Sequence, residues 1–183
     1  FPIVDSVQDI LDGGAGDDFL LGGLSDVFDG GTGSDGAMLD LSAASGITVD
    51  LTPLNSGLTA TLPFGGSIRN VEGGIAIFFG AGNNTALGSQ FSEELYGWTG
   101  NDNFDGGAGD DYLDGWSGND THTGGGGADT PYGGEGVDTL NGDAGADALH
   151  GEAGDDTLNG GDGDDGIVGG DGTDALNGGI GAD

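Results

Sequence analysis

The sequence predicts an all-β fold: a right-handed parallel β-roll, a β-helix solenoid of nonapeptide repeats with about 18 residues per coil, carrying one β-rich insertion. Three observations lead there. From residue 88 to residue 183 a nine-residue period runs without a break in spacing, as ten complete periods and six residues of another. Each period reads G-G-x-G-x-D-x-U-x, with U a large apolar residue, most clearly in 106–114 (GGAGDDYLD), 151–159 (GEAGDDTLN) and 160–168 (GGDGDDGIV). Between residues 39 and 78 that period is lost, and apolar residues alternate with polar ones instead.

Taken in order, residues 4–12 (VDSVQDILD) are a worn copy, with Asp9 at the sixth position and Leu11 at the eighth. Residues 13–21 (GGAGDDFLL) are in full register with Asp18 sixth, residues 22–29 are one residue short, and residues 30–38 (GGTGSDGAM) put Asp35 sixth. Residues 1–38 are therefore read as a first block of β-roll repeats. In 39–78 the alternation of Leu39 and Leu41, of Ile47, Val49 and Leu51, and of Leu58, Ala60 and Leu62 predicts short strands. Turn-formers at 45–46, 53–57 and 63–66 separate them. This insertion is expected to be hairpin-like and to pack on the side or end of the solenoid. Residues 79–183 form the second block. Its first two copies carry Asn84 and Glu93 at the sixth position, a neutral ligand and a longer one, which should bind metal less well than the aspartates that follow.

Glycines in the first half of each repeat make a tight turn, and the second half makes a short strand whose eighth residue points inward. Leu95, Phe104, Leu113, Leu140, Leu149, Leu158, Ile167 and Leu176 then form a narrow core. Two repeats close one coil, so alternate repeats stack roughly 4.8 Å apart. The sixth-position residues fall into two columns, one of Asp102, Asp120, Asp138, Asp156 and Asp174, the other of Asp111, Asp129, Asp147, Asp165 and Asp183. Carboxylates that close repel unless cations lie between them. Turn carbonyls add further oxygens, and an all-oxygen donor set suits calcium better than magnesium, which demands a stricter octahedron and keeps its waters.

Composition agrees, on one condition. With 33 acidic residues against a single cation, Arg69, the formal charge is -32, and 46 of 183 residues are glycine. Such a chain is expected to be disordered until counter-cations let its carboxylates crowd together, so folding and metal binding should be coupled. Nucleic acid and anionic lipid require basic clusters that the sequence lacks. Absence of cysteine excludes disulfides and thiolate zinc sites, and no apolar run reaches the roughly 20 residues of a membrane span. Residues 1–5 lack the basic start of a secretory signal peptide, so export would use another signal or a removed one.

The nonapeptide resembles that of the RTX, or hemolysin-type calcium-binding, family. The wording LDLSAASGITVDL followed by SIRNVEGG is also similar to a segment that interrupts such arrays. The resemblance implies calcium held between stacked turns by aspartate carboxylates and backbone carbonyls. On this chain the aspartates are Asp18 and Asp35 together with the two columns, and the carbonyls are those of Gly107, Gly109, Gly118, Gly127, Gly136, Gly145, Gly154, Gly163 and Gly172. It implies about eight or nine ions in the second block, which would neutralise about half of the formal charge. It further implies one-step export of an unfolded chain to a bacterial cell surface or exterior. The chain would then be a structural element, rigid or self-assembling into a surface layer or filament, or else the carboxyl-terminal folding module of an exported protease, lipase or alginate epimerase.

Other chemistry is not expected. Acidic pairs such as Asp110-Asp111, Asp155-Asp156 and Asp164-Asp165 match the carboxyl pair of a glycosidase, but they recur with the repeat, as ligands do and a single catalytic pair does not. There is no G-K-[ST] phosphate loop, because lysine is absent, and no H-E-x-x-H. His122, at an inward position, is read as a core substitution. Trp98 and Trp116, both at second positions and two periods apart, should stack on adjacent coils, either as turn packing or as a carbohydrate or self-assembly contact. Pro131 removes a strand donor and should leave a local defect. Asp183 stops at a sixth position and Phe1-Pro2-Ile3 would supply the seventh to ninth, so the chain is either a piece of a longer array or a unit that associates head to tail.

Overall fold

In a computed structural model, which describes residues 7–183, successive repeats alternate between two parallel sheets that wind as one solenoid. The first block supplies β1 (Ile10–Asp12), β2 (Phe19–Gly23), β3 (Val27–Asp29) and β4 (Gly36–Asp40). Next come β5 (Thr48–Asp50), β6 (Ala60–Thr61), β7 (Ser67–Arg69) and β8 (Ile75–Phe78). The second block gives β9 (Thr85–Ser89), β10 (Glu93–Tyr96), β11 (Asn103–Ala108), β12 (Tyr112–Asp114), β13 (Thr121–Gly126) and β14 (Thr130–Glu135). It ends with β15 (Thr139–Ala144), β16 (Ala148–Ala153), β17 (Thr157–Asp162), β18 (Gly166–Asp171) and β19 (Ala175–Ile180). The Phe1-Pro2-Ile3 segment lies outside the described residues.

One sheet runs β2-β4-β8-β10-β12-β14-β16-β18 and the other β5-β9-β11-β13-β15-β17-β19. Leu140 pairs with Leu158 and Leu158 with Leu176, so each coil is two repeats long. Inward pointing of the eighth residue follows from strand alternation. Leu95, Phe104, Leu113, Leu140, Leu149, Leu158 and His122 are fully buried, whereas Leu176 on the outermost strand β19 is 52% exposed. Among the described residues no strand covers that face of β19.

Residues 39–78 differ from the expectation of a body packed outside the solenoid: their strands are stitched into it. β8 lies between β4 and β10, and β5 edges the second sheet against β9. Ala37 pairs with Ile75, well beyond the reach of one ordinary coil, so the added chain is looped out while the sheet stays continuous. The loop carries two short 3-10 turns and one hairpin, in which β6 runs antiparallel to β7. β7 in turn pairs parallel with β3, closing a separate sheet β1-β3-β7-β6. Burial explains the arrangement. Leu39, Leu41, Ile47, Val49, Leu51, Ala60 and Leu62 all turn inward onto one apolar cluster, and only Leu58 of the alternating set is exposed.

Candidate metal centre

The turns bring the sixth-position side chains together as the spacing predicts. Asp120 Oδ1 accepts the Asp102 N–H at 2.7 Å, Asp138 Oδ1 that of Asp120 at 2.7 Å, and Asp156 Oδ1 that of Asp138 at 2.8 Å. Asp174 Oδ1 accepts from Asp156 at 3.1 Å. In the other column Asp129, Asp147, Asp165 and Asp183 accept in the same way from Asp111, Asp129, Asp147 and Asp165 at 2.8 to 3.1 Å. Each carboxylate thus ties its own coil to the one before it.

The second oxygen has no partner. Oδ2 of Asp18, Asp35, Asp102, Asp111, Asp120, Asp129, Asp138, Asp147, Asp156 and Asp165 is buried without a hydrogen bond. It lies against the first-position glycine of its own repeat, where any side chain would collide with it, as at Gly115 beside Asp120 and Gly142 beside Asp147. Burying an ionised oxygen unpaired is expensive. Desolvation accordingly raises Asp102, Asp111 and Asp138 to about 6 and Asp120 and Asp129 to about 7, with neighbouring carboxylates adding to the rise at Asp111, Asp120, Asp129 and Asp138. Asp147 and Asp156 are raised for the same reason.

The remaining donors are backbone. Fourth-position carbonyls stack along the axis: Gly118 O faces the Gly136 backbone and Gly136 O that of Gly154, while Gly109, Gly127, Gly145 and Gly163 line up likewise in the other column. Gly172 continues the first line. Left-handed φ at Gly136 (148°) and Gly145 (147°) aims these carbonyls, a conformation side chains resist. Gly107 O at a second position faces Gly125 in the same manner. Among the described residues no three acidic, histidine or cysteine side chains cluster as a metal site would. A cation held here would take one carboxylate from each turn and draw its other oxygens from these carbonyls. Hard oxygens from two stacked turns, with an orphaned buried charge between them, fit calcium.

A family model of the RTX calcium-binding nonapeptide repeat, four copies long, matches residues 8–36, 87–121, 96–131, 132–167 and 150–183. The chain belongs to the RTX repeat family. Its repeats are therefore calcium-binding, and RTX repeat proteins are typically secreted. Among curated proteins none matches this RTX chain. No helix among the described residues is long and apolar enough to cross a membrane.

The acidic pairs divide the work of the RTX turn. Where the sixth-position residue accepts from the coil before, the fifth accepts from the coil after: Asp110 Oδ1 from Ala128 N at 2.9 Å, Asp155 Oδ1 from Thr173 N at 2.8 Å and Asp164 Oδ1 from Ala182 N at 3.0 Å. Asn101 and Asn119 do the same with their amide oxygens. Each pair is a clamp acting in both directions along the axis, which accounts for its recurrence.

Asp26 escapes the sequence pattern as a member of the ladder because its repeat is one residue short. It is buried, its Oδ1 accepts the Asp9 N–H at 3.0 Å, and its Oδ2 accepts from Gly23 N at 2.8 Å. Asp9 to Asp26 and Asp18 to Asp35 are both 17-residue steps. The available signal is an aspartate soon after Gly22 in a shortened copy.

Trp98 and Trp116 stack at 4.8 Å between ring centres, and both take left-handed φ at positions where glycine is usual. Trp98 also walls a cleft of about 570 Å³ with Phe78, Tyr96, Met38 and Asp40. His122 stacks on Phe104 at 5.2 Å, fully buried with neither ring nitrogen partnered, and desolvation lowers its pKa to about 3. The Pro131 defect is visible in pairing: the β14–β16 ladder begins at Tyr132, whereas β16–β18 begins two positions earlier in register, at Ala148.

Proposed function

We propose that this chain is a structural element of a bacterial surface or exterior whose aspartate columns, in the second block, stay unfolded until they meet calcium. The observation that carries the reading is the pair of columns of buried, unpartnered Oδ2 atoms. Calcium, when bound, supplies the positive charge that lets stacked carboxylates remain ionised in a dry turn. The chain's own part is geometric. Oδ1 fixes each aspartate to the neighbouring coil, the first-position glycine leaves room for Oδ2, and the second- and fourth-position carbonyls complete the oxygen set. Asp18 and Asp35 offer the same orphaned oxygen in the first block.

About eight or nine ions in the second block would leave the folded body acidic and soluble. The function proposed is mechanical and architectural. The test is a calcium titration of the chelated chain by far-ultraviolet circular dichroism, with light scattering recorded on the same sample and magnesium as control. A cooperative gain of β-structure is expected with calcium and not with magnesium. Growth of scattering in step with it identifies a self-assembling element, and constant scattering a single rod. No change up to about 10 mM calcium, beyond the weakest extracellular modules, overturns the reading.

A further inference from the structure

Each column begins with a residue that is not aspartate, Asn84 in one and Glu93 in the other. Asn84 keeps half of the aspartate's behaviour, since its Oδ1 accepts the Ile47 N–H at 3.0 Å from the preceding coil. The other half is inverted. Where each aspartate turns an orphaned oxygen into its turn, Asn84 Nδ2 donates to Gly80 O at 3.1 Å, Gly82 O at 2.7 Å and Asp102 Oδ1 at 2.9 Å. Gly80 and Gly82 hold the second and fourth positions of that repeat. The amide nitrogen has therefore gathered the two turn carbonyls assigned above to a cation, together with Oδ1 of Asp102 in the next coil, whose Oδ2 stays unpartnered.

Glu93 reaches a similar end by another route. Its Oε1 accepts from Ser89 Oγ at 2.6 Å and its Oε2 from Ser89 N at 3.0 Å, so no oxygen is left over. These two turns do not fit calcium. Their surroundings do not need it either, because the apolar cluster runs unbroken from Leu20 through Ile77 and Phe79 to Phe104 and Leu113.

We propose that Asn84 is a tethered substitute for a calcium ion, and that with the Glu93–Ser89 pair it keeps the coils around β8 to β10 folded without metal, as the template on which the calcium-dependent ladder assembles. This rests on the calcium reading of the aspartate columns. A template matters because parallel strands close only through long connections, so the first coil carries the largest entropic cost and each later one is added to an existing edge. β9 and β10 offer those edges to β11 and β12.

The test is hydrogen exchange by mass spectrometry on the full chain, in chelator and in calcium, with native mass spectrometry to count ions, for the unchanged protein, Asn84→Asp and Asn84→Ala. In chelator the unchanged chain should stay protected over 75–96 and exchange freely over 120–180. Asn84→Asp should lose protection over 75–96 by about ten-fold or more in chelator, regain it in calcium, and carry one additional ion. Asn84→Ala should lose the same protection, regain less of it in calcium and gain no ion. The proposal is overturned if 75–96 exchanges as freely as 120–180 in the chelated parent, or if calcium neither rescues Asn84→Asp nor adds an ion to it. Failure of calcium to protect 120–180 in the parent is a different result, which sinks the calcium reading itself.

Discussion

The coils from β2 to β12 and those from β13 to β19 share a topology and differ in what lines them. In the former, inward residues come from every strand and from the looped-out chain, forming one cluster from Leu20 to Leu113 that includes Phe28, Leu39, Leu51 and Ile68. In the latter, each repeat contributes one inward side chain, and the cluster consists of Leu140, Leu149 and Leu158 with Ile167 against them. A fully buried aliphatic side chain contributes about 1.5–3 kcal/mol, while ordering each residue costs about 1–2 kcal/mol of backbone entropy alone. One such side chain per repeat falls well short. A single backbone path is thus stabilised in one half by burial and, on the calcium reading, in the other by charge held between coils, and the aspartate columns that open after Asn84 and Glu93 overlap the end of the apolar cluster at Phe104 and Leu113.

Matched truncations would sharpen that contrast most. Leu51→Ala should cost about 2–5 kcal/mol, and its effect should be measurable by denaturant unfolding with or without calcium. Leu149→Ala should cost a similar amount, seen only in calcium, because on the calcium reading the ladder is unfolded in chelator at neutral pH. Equal effects of the two substitutions in chelator would break the contrast.

A second effect is that of pH on the chelated chain. Burial holds Asp102, Asp111, Asp120, Asp129 and Asp138 at about 6 to 7 in the folded state, above the roughly 4 of an unfolded chain. The folded form therefore binds more protons, so its stability is complete below about pH 4 and is lost as pH rises through 6 to 7. Acidifying the metal-free chain from neutral pH to about 5 should restore ellipticity over the ladder, and saturating calcium should abolish or reverse that dependence. Glu93, pushed to about 8 by burial, keeps its proton through this window. A metal-free ladder indifferent to pH would count against the buried geometry.

The smallest expected effect is a gain. His122 is buried with both ring nitrogens unpartnered, and Leu140 occupies the paired position on the next coil. His122→Leu should stabilise the calcium-bound form by about 1–3 kcal/mol, visible as a higher melting temperature.

Much of the ladder was legible in the sequence because a strict period leaves no freedom: once Asp102 and Asp120 stand two repeats apart on a two-repeat coil, their stacking follows. The opposed roles of Asp110 and Asp111 were not legible, since adjacent aspartates differ only in which neighbouring coil they face. Asp26 was hidden by a one-residue deletion that a fixed period cannot absorb. In residues 39–78 alternation gave away β5 and β6, but neither β7 and β8 nor the place of any of them in the sheets. Pairing Ala37 with Ile75 across a loop depends on which coil edge is free, and local pattern carries no record of that. Asn84 could be read as a weaker ligand from its chemistry alone. That its nitrogen meets Gly80 O and Gly82 O required coordinates.

Pro131 has a mechanical consequence. The hydrogen bonds and carboxylate clamps between coils lie along the solenoid axis, so a pull on the two ends loads every coil boundary in series, and such an assembly is as strong as its weakest link. Between β14 and β16 the proline withholds a donor and the pairing begins late, while both ring nitrogens of His122 lack hydrogen bonds in the same coil. Under tension the rod should part there first, leaving the coils on either side intact to close again when the load is released.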